Sequence, residues 1–329
     1  MPDFQHAASP GDMSHRGEKV VGRWPSICNL PLQMAYRFKH SQTVPENIKR
    51  IAAEEIGSAI AHLRAKCRTA ADESIHETRK NIKKTRALVR LVRPEPGHSY
   101  RDENAQLRDI GRQLSQLRDA GALMGVLDNL RKRSHNGAGK SLVTVRKLLA
   151  QQKQRLEEEA ETRKLKPALA SDLLRARKSI KYWPLEADGF SAIEAGLEKT
   201  FRNGRNAMTM ARKSGRREDF HEWRKRVKDL WYHVRLLKKL WGEKMEGHDA
   251  SLKELEEALG EDLNLAILAE RVRSLASKNG DGLKAAQLAR TIDAARTELR
   301  NRALEIGARV YSQKPREFMR QIKRLWKAL

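Results

Sequence analysis

Residues 74–93 read SIHETRKNIKKTRALVRLVR, a stretch without proline or glycine that ends at Pro94. A helix over this stretch separates an apolar face from a basic face. The apolar face carries Ile75, Thr78, Ile82, Thr85, Val89 and Val92. The basic face carries His76, Arg79, Lys80, Lys83, Arg86 and Arg90. Because neighbouring cations repel one another, the pattern predicts a helix that packs on one side and faces water, salt or an anion on the other.

Residues 220–238, FHEWRKRVKDLWYHVRLLK, repeat this pattern 145 positions later. Eight of nineteen aligned positions are identical, whereas ordinary residue frequencies would give about one match. The basic face of this second helix carries His221, Arg224, Lys225, Lys228 and Arg235. Most of the repeated identities are basic-face residues, so the internal repeat indicates that this face has a role as a surface. The basic face of a single such helix is more commonly just a solvated surface without a binding role. The repetition of the pattern argues against that interpretation here.

Helical periodicity fills the rest of the chain, and no segment alternates as a strand would. Proline and glycine divide it into further helices over about 100–133, 141–166, 170–183, 190–213, 248–277 and 283–311, with a last short one from Pro315. The sequence predicts an all-α fold of two tandem four-helix bundles related by an internal pseudo-two-fold repeat. The halves cover about 45–185 and 189–329. Residues 1–34, which proline and glycine interrupt repeatedly, are predicted to be a disordered leader.

The composition points to an acidic partner. The chain has 67 Lys and Arg against 42 Asp and Glu, a formal charge of +25, which favours nucleic acid, anionic lipid or a phosphate polymer. Aromatic residues make up only 5%, so base stacking finds little support. No apolar run is long enough to span a bilayer, and Cys28 and Cys67 form no spaced pair, which is typical of a reducing compartment. We therefore expect a cytoplasmic protein with no membrane partner.

Metal and catalytic motifs find no support in the sequence. The segments His76-Glu77-x-x-Lys80 and His221-Glu222-x-x-Lys225 resemble a zinc motif, but lysine stands at the second ligand position. Phosphate-binding loops, nucleophile elbows and acidic pairs placed for magnesium are not found. Glu54 and Glu55 are expected to form part of a solvated helix face. We predict no metal, no cofactor and no enzymatic activity.

The paired motif His-x-x-Arg-x-x-x-Lys, at His76/Arg79/Lys83 and His221/Arg224/Lys228, resembles the CHAD domain family. The segments LSQLRDAGAL (114–123) and LGEDLNLAIL (259–268), and YRFK at 36–39, are similar to family members. The likeness covers about residues 35–329. It implies two four-helix bundles that face each other across a basic channel, and binding of inorganic polyphosphate rather than catalysis. Asp229 stands opposite Lys84 in the repeat, and Trp231 opposite Arg86, so the halves are not expected to contact the anion equally.

A linear polyphosphate suits the basic faces, because it needs many spaced cations and offers no bases to read. Arginine can bind two phosphate oxygens at once, and lysine supplies a compact charge. The predicted phosphate-binding residues are the eleven basic-face residues of the two helices, with Arg37, Arg205, Arg212 and Tyr232 as further contacts. Two alternatives stay open, a nucleic-acid-binding helical protein and an accessory module of phosphate or triphosphate metabolism. Association with polyphosphate granules is a further expectation.

The absence of a second ligand beside His76 or His221 makes metal dispensable. We expect dialysis against a chelator to leave both the helical circular dichroism signal and the affinity for polyphosphate unchanged. Stoichiometric zinc that survives purification without a tag, and disappears in His76→Ala, would contradict this prediction.

Overall fold

The computed structural model describes residues 36–65, 71–93, 97–133, 139–241, 245–279 and 282–328. Over these ranges the chain forms eleven α-helices, one short 3-10 turn and no strand, so the all-α prediction is confirmed. The helices are α1 (Val44–Arg64), α2 (Ala71–Leu91), α3 (Gly97–Gln113), α4 (Ser115–Arg133), α5 (Gly139–Thr162), α6 (Leu165–Ser179), α7 (Ser191–Ser214), α8 (Arg217–Trp241), α9 (Glu246–Asn279), α10 (Gly282–Val310) and α11 (Pro315–Lys327). None of these described helices is both long and apolar enough to cross a bilayer. The predicted leader at 1–34 lies outside the described residues.

Local sequence signals fix the starts and ends of the helices that carry the site. At the start of α1, the Thr43 hydroxyl accepts a hydrogen bond from the Glu46 N–H (3.3 Å), and the Glu46 carboxylate accepts one from the Thr43 N–H (2.8 Å). This reciprocal pair satisfies backbone donors that have no partner within the helix. Between α7 and α8, Gly215 adopts a left-handed φ of 64°, a conformation that glycine tolerates well. The chain therefore turns at once from α7 into α8.

Two helix boundaries differ from the sequence prediction. The helix expected over 100–133 is two helices, α3 and α4, which meet at the fully buried Leu114. The helix expected over 141–166 ends earlier than Pro167, because the chain turns at Lys164 with a left-handed φ of 48°. Pro167 instead lies in the first turn of α6, where the missing N–H of proline does no harm. Both breaks depend on tertiary packing and backbone turns that periodicity does not reveal.

Two apolar clusters hold the helices together. The larger one draws residues from all eleven helices and contains the fully buried Ile51, Leu88 and Trp223. The smaller one joins α4 and α5 to α9 and α10. Its members are Leu123, Leu127, Val145, Leu149, Leu265, Leu268, Ala269, Val272, Leu288 and Ile292. Because this second cluster draws on both halves of the chain, it ties them together, and Leu299 of α10 packs against both clusters.

The helices of each half pack in the same order. Helix α1 packs on α2 as α7 packs on α8, and α3 and α4 lie against α2 as α9 lies against α8. The two-fold relation between the halves stays a prediction. Along α2, Asp72 lies beside Gly121 of α4, and the carbonyl of Ala87 lies 2.8 Å from Nε2 of His233 in α8. The basic residues of α2 from His76 to Arg86 lie between these two contacts.

A close backbone approach places α7 and α8 beside α2. A Cβ atom at Gly196 of α7 would lie only 1.7 Å from the carbonyl oxygen of Leu91, at the end of α2. The neighbouring atom is backbone, so no side-chain rotation could make room. The absence of a side chain at Gly196 thus allows α7 to approach the end of α2.

We expect Gly196→Ala to destabilise the protein by about 3 kcal/mol, the upper part of the range for overpacking in a core. The reason is the clash with the Leu91 carbonyl, which only a shift of a whole helix could relieve. The free energy of unfolding in urea measures the effect.

Gly125→Ala is the matched control, because Gly125 also lies inside a helix and a Cβ there has no atom within 4 Å. This variant should be more stable than the wild type by about 0.5–1 kcal/mol, the gain from replacing helical glycine with alanine. Equal stability changes in the two variants would show that the α2–α7 approach is not tight.

A candidate anion-binding site between two basic helices

Lys83 of α2 lies where the two basic helices meet. It is half buried, and the nearby cations Lys228, Arg79 and Arg224 repel its ammonium while Glu256 attracts it. Burial, followed by these three cations, lowers the pKa of Lys83 to about 7. The structure therefore brings cations of both halves together, and we call Arg79, Lys83, Arg224 and Lys228 the cation cluster.

On the α2 side, backbone and side-chain acceptors orient the basic residues. Nη1 of Arg79 donates to the carbonyl oxygen of Gly111 in α3 at 3.0 Å. Nζ of Lys80 donates to both carboxylate oxygens of Glu77, at 2.9 and 3.0 Å. His76 is half buried one turn before Lys80. These contacts orient Arg79 and Lys80.

In the last turns of α2, two cations form hydrogen bonds with neighbouring helices. Nε of Arg86 donates to Oδ1 of Asn104 in α3 at 3.1 Å. Nη1 of Arg90 donates to Oδ1 of Asp229 in α8 at 3.0 Å, and both side chains are largely buried. Arg90 therefore joins the two basic helices through an ion pair, whereas the sequence predicted it as a phosphate ligand.

On the α8 side, one carboxylate serves two members of the cation cluster. Oε1 of Glu256 in α9 accepts from Nη2 of Arg224 and from Nζ of Lys228, both at 2.8 Å. The guanidinium of Arg224 also lies against the backbone of α9, since a Cβ at Gly260 would stand 3.1 Å from its Nη2. Burial lowers the pKa of Lys228, and the attraction to Glu256 opposes the shift.

Four buried side-chain nitrogen atoms of α8 lack a hydrogen-bond partner in the described structure, and two of them belong to predicted site residues. Nε of Arg224 and Nδ1 of His221 are buried, and neither has a hydrogen-bond partner there. Burial, followed by Lys225 and Arg224, lowers the pKa of His221. A buried guanidinium N–H without an acceptor is costly, so an acceptor brought by a ligand would be stabilised at this point.

The remaining predicted contacts lie around or away from the cluster. Lys225 is exposed and pairs with Glu222, and the guanidinium carbon of Arg235 lies 5.1 Å from the Trp231 ring centre. Tyr232 is buried, which raises the pKa of its phenol, and Nζ of Lys228 lies 6.0 Å from its ring centre. Arg37 and Arg205 are half buried and Arg212 is exposed.

A buried ion pair lies next to the site. Nζ of Lys84 donates to Oε1 of Glu55 in α1 at 2.8 Å, and the two residues are only 1% and 3% exposed. Burial lowers the pKa of Lys84 and raises that of Glu55, and their mutual attraction opposes both shifts. The prediction of Glu55 on a solvated face was wrong, because a lysine of another helix covers it. Glu55 thus neutralises a charge that would otherwise add to the cluster.

Sequence reasoning missed Glu256, the carboxylate that contacts the cluster most directly. The signal was available, because Glu256 lies 145 positions after Gly111, the residue whose carbonyl accepts from Arg79. Matching arginines thus meet matching positions on α3 and α9, but one position is a glycine and the other a carboxylate. Within the described ranges, no group of three or more His, Cys, Asp or Glu side chains could hold a metal ion.

Comparisons with known proteins agree with this architecture. The solved crystal structure of the CHAD domain from the plant Ricinus communis is similar in fold, with a TM-score of 0.56. The two share 16% sequence identity, and the alignment covers 80% of this chain and 91% of the plant domain. None of the curated proteins matches the chain. The family model of the CHAD domain matches residues 50–273, a range that runs from α1 to α9 and includes both basic helices. The chain therefore belongs to the CHAD domain family.

Proposed function

We propose that this protein binds inorganic polyphosphate at the cation cluster and does not transform it. The observation that carries the proposal is the environment of Lys83, where three cations of the two basic helices lie near its ammonium group. Burial and these three cations lower the pKa of Lys83 to about 7. A phosphate chain beside Lys83 would replace repulsion by attraction. The buried Nε of Arg224, which lacks a partner in the described structure, supports the same conclusion because phosphate oxygens would accept from it.

The arrangement suits a thin, linear polyanion. Cations at helical spacing on α2 and α8 place donors about every 5 Å along each axis. Helices in contact have axes only about 8–10 Å apart, and α2 contacts α8 directly. The donors of the two helices therefore lie close to one line, which a single chain of phosphates can follow, whereas the two backbones of a nucleic-acid duplex are separated by grooves about 6–12 Å wide. This difference favours polyphosphate over duplex DNA as the partner.

The ion pairs of the neighbouring carboxylates support binding without catalysis. Glu77 accepts from Lys80, Glu222 pairs with Lys225 and Arg226, and Glu256 accepts from Arg224 and Lys228. A carboxylate held by cations is a weak base, so these groups are better placed to orient cations than to move protons. As a binding module in the cytoplasm, the protein would attach to polyphosphate granules.

We expect Arg79→Ala combined with Arg224→Ala to weaken binding of long-chain polyphosphate by about 1.5–3 kcal/mol for each arginine, as for hydrogen bonds that involve charged groups. The two residues belong to different halves but to one cluster. Calorimetric titration at two salt concentrations measures the loss. Binding by the wild type should fall steeply with salt, since phosphate neutralisation releases counterions.

Arg155→Ala with Arg320→Ala is the control pair, because both residues are exposed on α5 and α11 and the formal charge removed is the same. The controls should bind nearly as tightly as the wild type. Equal losses in both double variants, together with displacement of polyphosphate by duplex DNA at equal phosphate concentration, would indicate a diffuse basic surface and a nucleic-acid partner.

We expect Lys83→Met to make the protein more stable at about pH 6 and to weaken polyphosphate binding. The pKa of Lys83 is about 7 in the folded protein and about 10.4 in an unfolded chain. The unfolded state therefore binds more protons between these values, and the contribution of Lys83 to stability rises with pH over this window. Below it the full cost of the buried charge is present, and methionine removes that cost. Urea unfolding at several pH values measures the gain, which should shrink as the pH approaches about 10.

Lys147→Met provides the comparison, since Lys147 is exposed on α5 and should change neither quantity. A Lys83→Met variant that is less stable than the wild type at low pH, or that binds polyphosphate as tightly, would contradict the role given to Lys83.

A further inference from the structure

Glu256 of α9 contacts the two cations of α8 that the proposed function assigns to phosphate. One of its oxygens, Oε1, accepts hydrogen bonds from Arg224 and Lys228 at 2.8 Å each, and the residue is only 8% exposed. Burial alone would raise the pKa of this carboxyl, but Lys228 and Arg224 outweigh burial and hold the pKa below its usual value. Glu256 is therefore a charged anion held inside the protein by two cations.

The α2 side has no carboxylate at the matching place. Arg79 donates to the backbone oxygen of Gly111, and Gly111 precedes Glu256 by 145 positions. A Cβ at Gly111 would meet Ile82 Cγ2 at 3.6 Å, an ordinary contact distance. The chain could thus carry a side chain at this position, and the difference between the two sides is chemical rather than steric.

We propose that Glu256 is a built-in competitor that a polyphosphate must displace from Arg224 and Lys228, and that it thereby sets the shortest chain the protein binds. This inference rests on the proposed function. It concerns specificity among phosphate chains, and Glu256 acts on the ligand by occupying its donors.

The dependence on chain length follows from how the free energies add. Displacing Glu256 breaks two charge-assisted hydrogen bonds once per bound chain, whatever the length of the chain. Each further phosphate adds contacts with other cations, and those contacts act together because the phosphates are covalently linked. A fixed loss therefore excludes short anions, whose few contacts cannot offset it, and leaves long chains bound.

The test compares Glu256→Gln with Glu257→Gln. Both variants remove one negative charge from α9, but Glu257 is exposed and pairs with Lys253, an exposed lysine, at 3.8 Å. We expect Glu256→Gln to bind tripolyphosphate about tenfold more tightly than the wild type, the effect of removing a charged competitor. It should also bind shorter chains than the wild type does. Glu257→Gln should change affinity less than about twofold, as a screened surface charge.

A second pair of variants installs the competitor on the other side. Gly111→Glu places a carboxylate next to Arg79, and Gly111→Gln supplies a side chain of the same size without the charge. We expect Gly111→Glu to bind tripolyphosphate about tenfold more weakly than Gly111→Gln does. This pair also tests the proposal if Glu256→Gln does not fold, because a Cβ at Gly111 makes only an ordinary contact, 3.6 Å from Ile82 Cγ2.

The outcomes separate this inference from the proposed function. Equal effects of Glu256→Gln and Glu257→Gln, in a wild type that binds long-chain polyphosphate, would overturn the role of Glu256 alone. Equal affinities of Gly111→Glu and Gly111→Gln would do the same. Failure of the wild type and of every variant to bind polyphosphate of any length would overturn the proposed function and this inference with it. Binding of tripolyphosphate by Glu256→Gln but not by the wild type would support both.

Discussion

Repulsion between the cations of α2 and α8 is the constraint that the rest of the structure has to satisfy. Lys83, Arg79, Arg224 and Lys228 act on one another across the contact of the two helices, and their charges favour separation. Apolar packing opposes it. The larger cluster holds α2 against α1 and α8 against α7, and the smaller cluster ties α4 and α5 to α9 and α10. The fold thus holds close together a set of charges that would otherwise separate.

The protein pairs the cations around this set with carboxylates, whereas within the set Glu256 accepts from Arg224 and Lys228 and one carboxylate faces four cations. Asp229 forms an ion pair with Arg90, Glu55 with Lys84, and Glu77 with Lys80. Lys83 stands between these pairs with mainly cations around it. An ion pair that is buried contributes little net stability, because desolvation offsets its attraction. We therefore interpret the pairs as devices that confine the positive field to the site rather than as a source of stability.

The basic helices, their faces and the all-α fold could be predicted from sequence because each follows from a pattern within one segment. The spacing of Ile82 and Val89 against Lys83 and Arg90 gives the two faces, and Gly215 gives the turn between α7 and α8. Features that depend on a second segment were missed. The break at Leu114 and the pairing of Glu55 with Lys84 both require knowledge of which helices meet. The partner of Arg90 likewise lies on another helix, at Asp229.

The Lys84–Glu55 pair also restricts how this sequence can change. The two residues are 29 positions apart on different helices and are almost fully buried. Replacing either alone leaves an unpaired buried charge, which typically costs about 3–5 kcal/mol, a large part of the total stability of an ordinary domain. Replacing both by apolar residues of similar volume can be close to neutral. Mutational paths through this interface are therefore epistatic. The two positions are expected to vary together among descendants of this chain, and a substitution at one of them can be accepted only after, or together with, a substitution at the other.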